Sequence, residues 1–221
     1  MLMLTLWLAA GPAAAAEPVE TQIAAQLPGW TLAQVAKGDL NGDSLTDVAV
    51  TLRRPGPKGD GAPGKAMLAI FLGGPGGTLR LHTKAPKAVC TGCGGAKAPF
   101  DEVLGTPSIS AKGILGVTYE GGSREAWTVL LKWRYDAKSN RFVLIGETRD
   151  NRDTLADNGE MEPGQVSSED INYLSGKMIR IISKGGTQRC RVKPEWKAVN
   201  LARFDFESSS GGDRFVEDSC Q

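Results

Sequence analysis

Apolar residues recur along most of this chain with a period of two, which is the spacing of a half-buried β-strand. The clearest example is the segment 127–135, in which apolar or aromatic side chains occupy every second position and mostly polar ones lie between them. Residues 136–140 (DAKSN) form a turn signal, and residues 142–147, which begin with the apolar run Phe142-Val143-Leu144-Ile145, are expected to return as the partner strand. This pattern predicts a β-hairpin.

Further segments that flank turn residues or are rich in apolar residues predict additional antiparallel strands. They are 68–72 and 78–82 around a glycine turn at 73–77, 171–174 and 177–182 around Ser175-Gly176, and the shorter 114–119 and 199–204. Residues 54–65 and 148–164 are polar or rich in glycine and proline, and are expected to be exposed loops. Short strands separated by such turns are typical of a mainly β fold built from antiparallel sheets.

One segment near the start has a helical period instead. Val19, Ile23 and Leu27 recur at intervals of four residues, and Pro18 suits the first position of a helix. Pro28-Gly29 then ends the pattern. We therefore expect one short N-terminal helix over residues 18–27.

Residues 1–16 have the features of an export signal. They are apolar, carry no charge, and end in Ala14-Ala15-Ala16, which is a small-residue cleavage pattern. The run is shorter than the roughly 20 residues of a transmembrane helix. We expect a signal peptide at 1–16, an exported protein that is periplasmic or secreted, and a single β-rich domain at 17–221 with no transmembrane segment after cleavage. The alternative is a buried or anchoring N-terminal helix.

The four cysteines are in keeping with export, since disulfides persist in oxidising compartments. Four cysteines allow three pairings, of which we favour Cys90 with Cys93 and Cys190 with Cys220. The second bond would close a loop of about 30 residues and stabilise the fold by roughly 2–4 kcal/mol. A redox dithiol or half of a zinc site are alternative interpretations of Cys90-x-x-Cys93.

Charge and histidine content exclude several functions. The chain has 26 Lys and Arg residues against 25 Asp and Glu, so it offers no electrostatic basis for nucleic-acid binding. His82 is the single histidine, which leaves little room for histidine-dependent hydrolysis. Glycosidase chemistry needs only two carboxylates, for which Asp101, Glu102, Glu120 and Glu125 are candidates.

The aromatic segment 127–135 and the arginines near it allow two interpretations. Arg124, Arg134 and Arg141 together with Trp127 and Trp133 would suit a glycan or a peptide. The alternative is that the two tryptophans belong to the core and the arginines solvate the opposite face.

The most informative segment is GDLNGDSLTDVAV, residues 38–50. Side-chain oxygens fall at positions 1, 3, 5 and 9 of a loop, namely Asp39, Asn41, Asp43 and Asp47, and the carbonyl of Leu45 lies at position 7. Hard oxygen ligands of this kind suit Ca²⁺. The loop is not an EF-hand, because position 12 is Val50 instead of glutamate. The alternative is a turn rich in Asx hydrogen bonds that holds no ion.

With strand-like residues on both sides, at 30–36 and 48–52, the loop resembles the FG-GAP or VCBS repeat, the calcium loop of integrin α-chain propeller blades. The resemblance covers residues 30–53 and implies a propeller-blade-like strand-loop-strand. It also implies Ca²⁺ bound by the side chains of Asp39, Asn41, Asp43 and Asp47 and by the carbonyl of Leu45. The family usually has glycine at position 6, where this chain has Ser44. Residues 121–146 are also similar to uncharacterised exported bacterial proteins that carry one such repeat.

These observations lead to one expectation and one alternative. We expect an exported calcium-binding β-rich protein that acts by binding or scaffolding, with an unknown protein or glycan as its partner and no supported catalysis. The alternative is a secreted hydrolase of envelope polysaccharide that uses paired carboxylates.

Overall fold

Strands make up most of the structure, as the period of two predicts. The computed structural model describes residues 17–56, 64–97, 103–194, 199–209 and 215–221, and the structural statements below concern these residues. The fold class is confirmed as mainly β, with two antiparallel sheets and one short N-terminal helix.

The first sheet contains four strands in the order of the sequence. They are β1 (Thr31–Gly38), β2 (Asp47–Arg54), β3 (Lys65–Gly74) and β4 (Thr78–Ala85). Each strand pairs with the next in antiparallel fashion, so the sheet is a simple meander.

The second sheet contains eight strands and is also a meander. A small pair, β5 (Cys90–Thr91) and β6 (Val103–Leu104), precedes it along the chain. The eight strands are β7 (Thr106–Ile109), β8 (Ile114–Gly122), β9 (Glu125–Asp136), β10 (Arg141–Asp153), β11 (Val166–Asn172), β12 (Lys177–Ile182), β13 (Gly186–Pro194) and β14 (Phe215–Cys220).

The helix α1 (Val19–Gln26) covers one face of the four-stranded sheet. Ile23 and Leu27 are buried there against alternate residues of β2 and β3, which include Val50, Met67 and Phe71. Pro18 immediately precedes the helix and Leu27 immediately follows it, close to the predicted range.

The other face of the same sheet packs against the eight-stranded sheet. Leu68 and Ile70 of β3 lie in one cluster with Leu115, Leu131 and Trp133 of the second sheet. Because β3 is buried on both faces, its sequence is a continuous apolar run and does not alternate. The two sheets and α1 thus form three layers.

Two sequence predictions need correction. Residues 148–164 were expected to be a loop, but β10 continues to Asp153 and pairs with β9 along its whole length. The polar side chains of this part of β10 are held by ion pairs and hydrogen bonds. Residues 199–204 were expected to be a strand, but they form an isolated bridge from Asn200 to Val143 and then a 3₁₀ turn, Leu201–Arg203.

The three predicted hairpins are confirmed by the pairing of β3 with β4, β9 with β10, and β11 with β12. Part of the predicted loop at 54–65 and the whole of residues 1–16 lie outside the described residues. In the described part of the chain, no helix is long and apolar enough to cross a membrane.

The four cysteines lie in two pairs at disulfide distance. Cys90, the first residue of β5, lies next to Cys93, which is in the turn that follows this strand. Cys190 faces Cys220 across the ladder of β13 and β14. No α-helix starts at Cys93, since the following turn is a short 3₁₀ segment, Gly95–Lys97. This differs from the strand-to-helix context of thioredoxin-like dithiols.

Replacing both Cys190 and Cys220 by alanine is expected to lower the free energy of unfolding by about 3–4 kcal/mol, because the bond closes a 30-residue loop. The matched control replaces Cys90 and Cys93, whose short loop is expected to contribute about 1.5–2 kcal/mol. Urea unfolding without reductant measures both values. Alkylation of Cys190 or Cys220 in the unreduced protein would show that the predicted bond is absent.

Candidate functional site

The acidic loop connects two paired strands. β1 ends at Gly38, β2 begins at Asp47, and these two residues face each other in the ladder. The strand-loop-strand arrangement expected for residues 30–53 is therefore present, and the eight residues between the strands form the loop.

Asp39, at the first position of the loop, is bound by the loop's own backbone. Its Oδ1 accepts a hydrogen bond from the N–H of Gly42 at 2.7 Å, and its Oδ2 accepts one from the N–H of Ser44 at 2.9 Å. The N–H of Ser44 is the main cause that lowers the pKa of Asp39 below its ordinary value. The carboxylate is therefore ionised at neutral pH and is held over the turn.

Asn41 and Asp43 form a second set of Asx hydrogen bonds. Oδ1 of Asp43 accepts from the N–H of Leu45 at 2.8 Å, and its Oδ2 accepts from Nδ2 of Asn41 at 2.8 Å. Oδ1 of Asn41 in turn accepts from the N–H of Asp43 at 3.1 Å. Asp43 is exposed, so its carboxylate is in contact with solvent.

Asp47 has a different environment, because its side chain is fully buried. Its Oδ2 accepts from the N–H of Leu40 at 2.7 Å and its Oδ1 from the N–H of Gly73 at 2.7 Å, so it ties the loop to the end of β3. Burial raises the pKa of Asp47, and the nearby charge of Asp43 adds to this, whereas the two N–H donors oppose it.

The backbone of the loop twice enters the left-handed region. Gly42 has φ +82°, and Ser44 has φ +66°. Ser44, at the position where the family usually has glycine, therefore adopts a left-handed conformation, at a cost of about 1–2 kcal/mol for a residue with a Cβ atom. The hydrogen bond from Ser44 N–H to Asp39 offsets part of this cost.

The donor chemistry of the loop suits a hard cation, but its carboxylates are not gathered around one point. Among the described residues, no group of three or more His, Cys, Asp or Glu side chains is arranged to hold a metal ion. Each carboxylate oxygen has two lone pairs, so an oxygen that accepts one N–H retains a second for a cation. The carboxylates of Asp39 and Asp43 accept hydrogen bonds only from groups within the loop, so these side chains can turn toward an ion. Asp47 is committed to Leu40 and Gly73.

A cleft of about 550 Å³ lies beside the loop. Residues 38–42 line one side and the turn at residues 110–113 lines the other. Three cationic side chains also border it, namely Lys37, Lys112 and Arg134. All three are exposed, so solvent and salt screen their repulsion of a bound cation.

The other candidate residues for catalysis that the structure describes do not border the cleft beside the loop. Glu120 and Glu125 are exposed on β8 and β9, whereas Asp101 and Glu102 lie outside the described residues.

Both ring nitrogens of His82 are hydrogen-bonded, to Thr83 Oγ1 at 2.7 Å and to Asn140 Oδ1 at 2.9 Å. These contacts give His82 a role in packing at the end of the β9–β10 hairpin.

The basic and aromatic surface that the sequence offers as one of two interpretations does not form as one surface. Trp133 is fully buried, and Trp127 is half-buried on the same face of β9. Arg134 alternates with Trp133 and so lies on the opposite face. Arg124 makes a bidentate ion pair with Asp153, with Nη2 to Oδ2 at 2.8 Å. The alternative, with tryptophans toward the core and Arg134 outward, describes the structure better.

The sequence reasoning missed a polar cluster on the inner face of the eight-stranded sheet. It contains Glu147, Arg149, Glu169, Arg180 and Tyr173, from β10, β11, β12 and the turn that follows β11. Glu147, Arg149 and Asn151 do have the period-two spacing of one strand face. This alternation does not predict a strand by itself, because all three residues are polar and a polar segment is typical of a loop.

Comparison with known proteins finds no match to this chain. No protein-family model, no curated protein and no solved structure matches the chain.

Proposed function

We propose that this chain is an exported, mainly β protein that binds one Ca²⁺ in the loop of residues 39–47 and acts by binding or scaffolding. The observation that carries the proposal is the oxygen donor set between β1 and β2. Asp39, Asn41 and Asp43 lie at alternate positions of one tight loop, and their side chains all fold back toward its backbone.

The ligands in this proposal are Asp39, Asn41, Asp43 and Asp47 through their side chains and Leu45 through its carbonyl. Calcium accepts six to eight oxygens in flexible geometry, so water completes the shell. Asp39 and Asp43 contribute their free lone pairs. Asp47 stays bound to Leu40 and Gly73, and from that fixed position it contributes the second lone pair of its oxygens. The resemblance to the FG-GAP repeat supports the same five residues.

The ion would act on structure. Three carboxylates within nine residues repel one another, and burial makes the ionised form of Asp47 costly. A divalent cation offsets both effects and holds β1 and β2 in register at the loop. A protein with this loop would present a rigid edge of the four-stranded sheet to its partner.

Export is supported by the cysteine pairs at disulfide distance, because such bonds persist in oxidising compartments. The extracellular and periplasmic compartments are also where weak calcium sites are occupied, since extracellular modules bind at about 10⁻⁴–10⁻³ M.

Adding Ca²⁺ at a hundredfold excess over its dissociation constant is expected to stabilise the protein by about 2.7 kcal/mol, because the ion binds only the folded loop. For a chain of this length the melting temperature is expected to rise by about 5–10 °C. Mg²⁺ is expected to have a much smaller effect, since it demands a tighter octahedron and dehydrates reluctantly. Thermal unfolding with Ca²⁺, Mg²⁺ or a chelator is the measurement.

Asp43→Ala is expected to abolish most of the calcium response. The matched control is Asp136→Ala, which removes an aspartate with comparable turn hydrogen bonds, to Lys138 N–H and Ser139 Oγ, from the β9–β10 hairpin. That variant should keep the full response to Ca²⁺. A melting temperature that ignores millimolar Ca²⁺, with no heat of binding by calorimetry, would mean that the loop is an Asx turn without an ion.

A further inference from the structure

A second cavity, of about 400 Å³, lies on the inner face of the eight-stranded sheet. β9 and β10 supply its floor and α2 (Phe206–Ser209) supplies one wall. Its principal lining side chains are Trp127, Val129, Glu147, Arg149, Asn151 and Phe206. None of these residues borders the acidic loop, so the two sites are separate.

The polar side chains of this cavity are held in fixed positions. Glu147 is fully buried; one carboxylate oxygen is ion-paired with Nε of Arg149, and the other accepts from the hydroxyl of Tyr173 at 2.9 Å. Nη1 of Arg149 lies 4.0 Å from Glu169, which is bound in turn by Nε of Arg180 at 2.7 Å. Two carboxylates and two guanidinium groups give this cluster a formal charge of zero.

Arg149 and Asn151 bring hydrogen-bonding groups to the cavity. The side chain of Arg149 is about one quarter exposed (24%) and lines the cavity. Burial opposes its charge, but the neighbouring carboxylates of Glu147 and Glu169 keep the pKa of Arg149 above its ordinary value. Asn151 lies two residues further along β10, where its amide nitrogen donates to the carbonyl of Val166 at 3.3 Å. Asn151 also lines the cavity, and its amide oxygen is a hydrogen-bond acceptor.

The aromatic walls are equally fixed. The indole of Trp127 lies against Gly121, where a Cβ atom would collide with Cζ2 of the ring and would approach the carbonyl of Gly94 to 2.8 Å. Phe206 is buried and stacks on Tyr119, with ring centroids 3.8 Å apart and an interplanar angle of 8°. The cavity therefore presents preformed apolar surfaces beside preformed polar groups.

We infer that this cavity binds a neutral saccharide. The juxtaposition that carries the inference is a half-buried tryptophan and a phenylalanine beside a charge-neutral set of fixed hydrogen-bonding groups. A saccharide has C–H faces that pack on aromatic rings, and hydroxyl groups that both donate and accept. The volume lies within the range of about 300–1,000 Å³ for small-ligand sites.

Two other ligand classes fit this cavity less well. A purely apolar ligand would leave the exposed part of Arg149 and the amide oxygen of Asn151 without partners, which costs free energy in a desolvated site. A charged ligand would add an unbalanced charge to a cluster whose carboxylates and guanidinium groups already neutralise each other. A neutral ligand with many hydroxyl groups avoids both costs.

The test is isothermal titration calorimetry of the purified protein with maltotriose, cellotriose and N-acetylglucosamine trimer, with trigalacturonate as the acidic comparison. At least one neutral trisaccharide is expected to bind, and glucose is expected to bind more weakly. Trp127→Leu is expected to weaken that binding by about tenfold, which corresponds to about 1.4 kcal/mol, because the variant loses the aromatic face that packs on the sugar. Asn151→Ala, which leaves the aromatic walls in place, is also expected to weaken it.

Trp30→Leu is the matched control and should bind like the wild type. Trp30 is also half-buried, but it lies on the α1 side of the four-stranded sheet beneath the guanidinium of Arg54. The inference is overturned if no neutral trisaccharide binds at about 10 mM, if both cavity variants bind like the wild type, or if trigalacturonate binds more tightly than every neutral sugar. Binding should persist in a chelator. Loss of saccharide binding on calcium removal would place the sugar at the acidic loop and would also overturn it.

Discussion

Arg149→Met is expected to lower the free energy of unfolding by about 3–5 kcal/mol, because it leaves the carboxylate of Glu147 buried without its cation. Glu147 is fully buried, and Arg149 and Tyr173 contact its two oxygens. Methionine preserves most of the length of the arginine side chain, so the loss reports on charge more than on packing. Urea unfolding, with the midpoint and slope measured separately, gives the difference.

Lys132→Met is the matched control on the neighbouring strand. Nζ of Lys132 pairs with Asp170 at 2.7 Å, but Asp170 is more than half exposed (54%), so the pair is expected to contribute only about 0–1 kcal/mol. The double variant Glu147→Met/Arg149→Met should be more stable than Arg149→Met alone, since it removes the unpaired charge as well. If Arg149→Met and Lys132→Met cost the same, Glu147 does not depend on Arg149.

Trp133→Ala is expected to be comparably damaging, with a loss of about 3–5 kcal/mol. Trp133 is fully buried between the two sheets and makes an edge-to-face contact with Phe204, with ring centroids 5.1 Å apart. Truncation leaves a cavity where both sheets meet, and the surrounding strands cannot close it without breaking their ladders. The measurement is again urea unfolding, with near-UV circular dichroism to follow the packing of the aromatic side chains.

Trp133→Phe separates the two roles of this side chain. Nε1 of Trp133 is buried and has no hydrogen-bond partner among the described residues. Phenylalanine loses part of the packing but also removes the unsatisfied donor, so a cost well below that of alanine is expected. Leu155→Ala, at a side chain that is 74% exposed, should stay within about 0.5 kcal/mol of the wild type. Equal effects of the Phe and Ala variants would contradict this account.

The hairpins were predictable because their signals are local. Between β9 and β10 the alternation of side chains at 127–135, the turn at 136–140 and the apolar start of the return strand define the hairpin locally, although not the full length of β10. The same holds for β3 with β4 and for β11 with β12. Burial on one face selects one register, because a slip of one residue would move every apolar side chain to the wrong face.

The two errors in the fold have tertiary causes. The second half of β10 is polar, and its strand conformation depends on partners in β9 and β11. Residues 199–204 are apolar enough for a strand, but Leu201 and Phe204 are buried in the core shared by the two sheets. Asn200 accepts from the N–H of Ala202 at 3.1 Å, and so favours a turn.

The two candidate sites also differ in how far the sequence could predict them. The donor set of the acidic loop is contained in nine consecutive residues, so its spacing alone suggested a cation, and Asx hydrogen bonds within the loop need no distant partner. The attachment of Asp47 to Gly73 spans 26 residues and was not visible in that spacing. The cavity beside Trp127 combines β9, β10 and α2, and the residues that form it are too far apart in the chain for any motif to reveal them.

By itself, the sequence determined the fold class, the three hairpins, the N-terminal helix and the position of the acidic loop, because period, turn residues and spacing act over short stretches of chain. Only the tertiary structure decided which faces of β3 are buried, how far β10 extends, and that Glu147, Arg149 and Glu169 meet beside Trp127. Those outcomes depend on the pairing and packing of strands that are distant in the sequence. A polar side chain that loses water there stabilises the fold when it gains a hydrogen-bonding or ionic partner, and destabilises it when it does not.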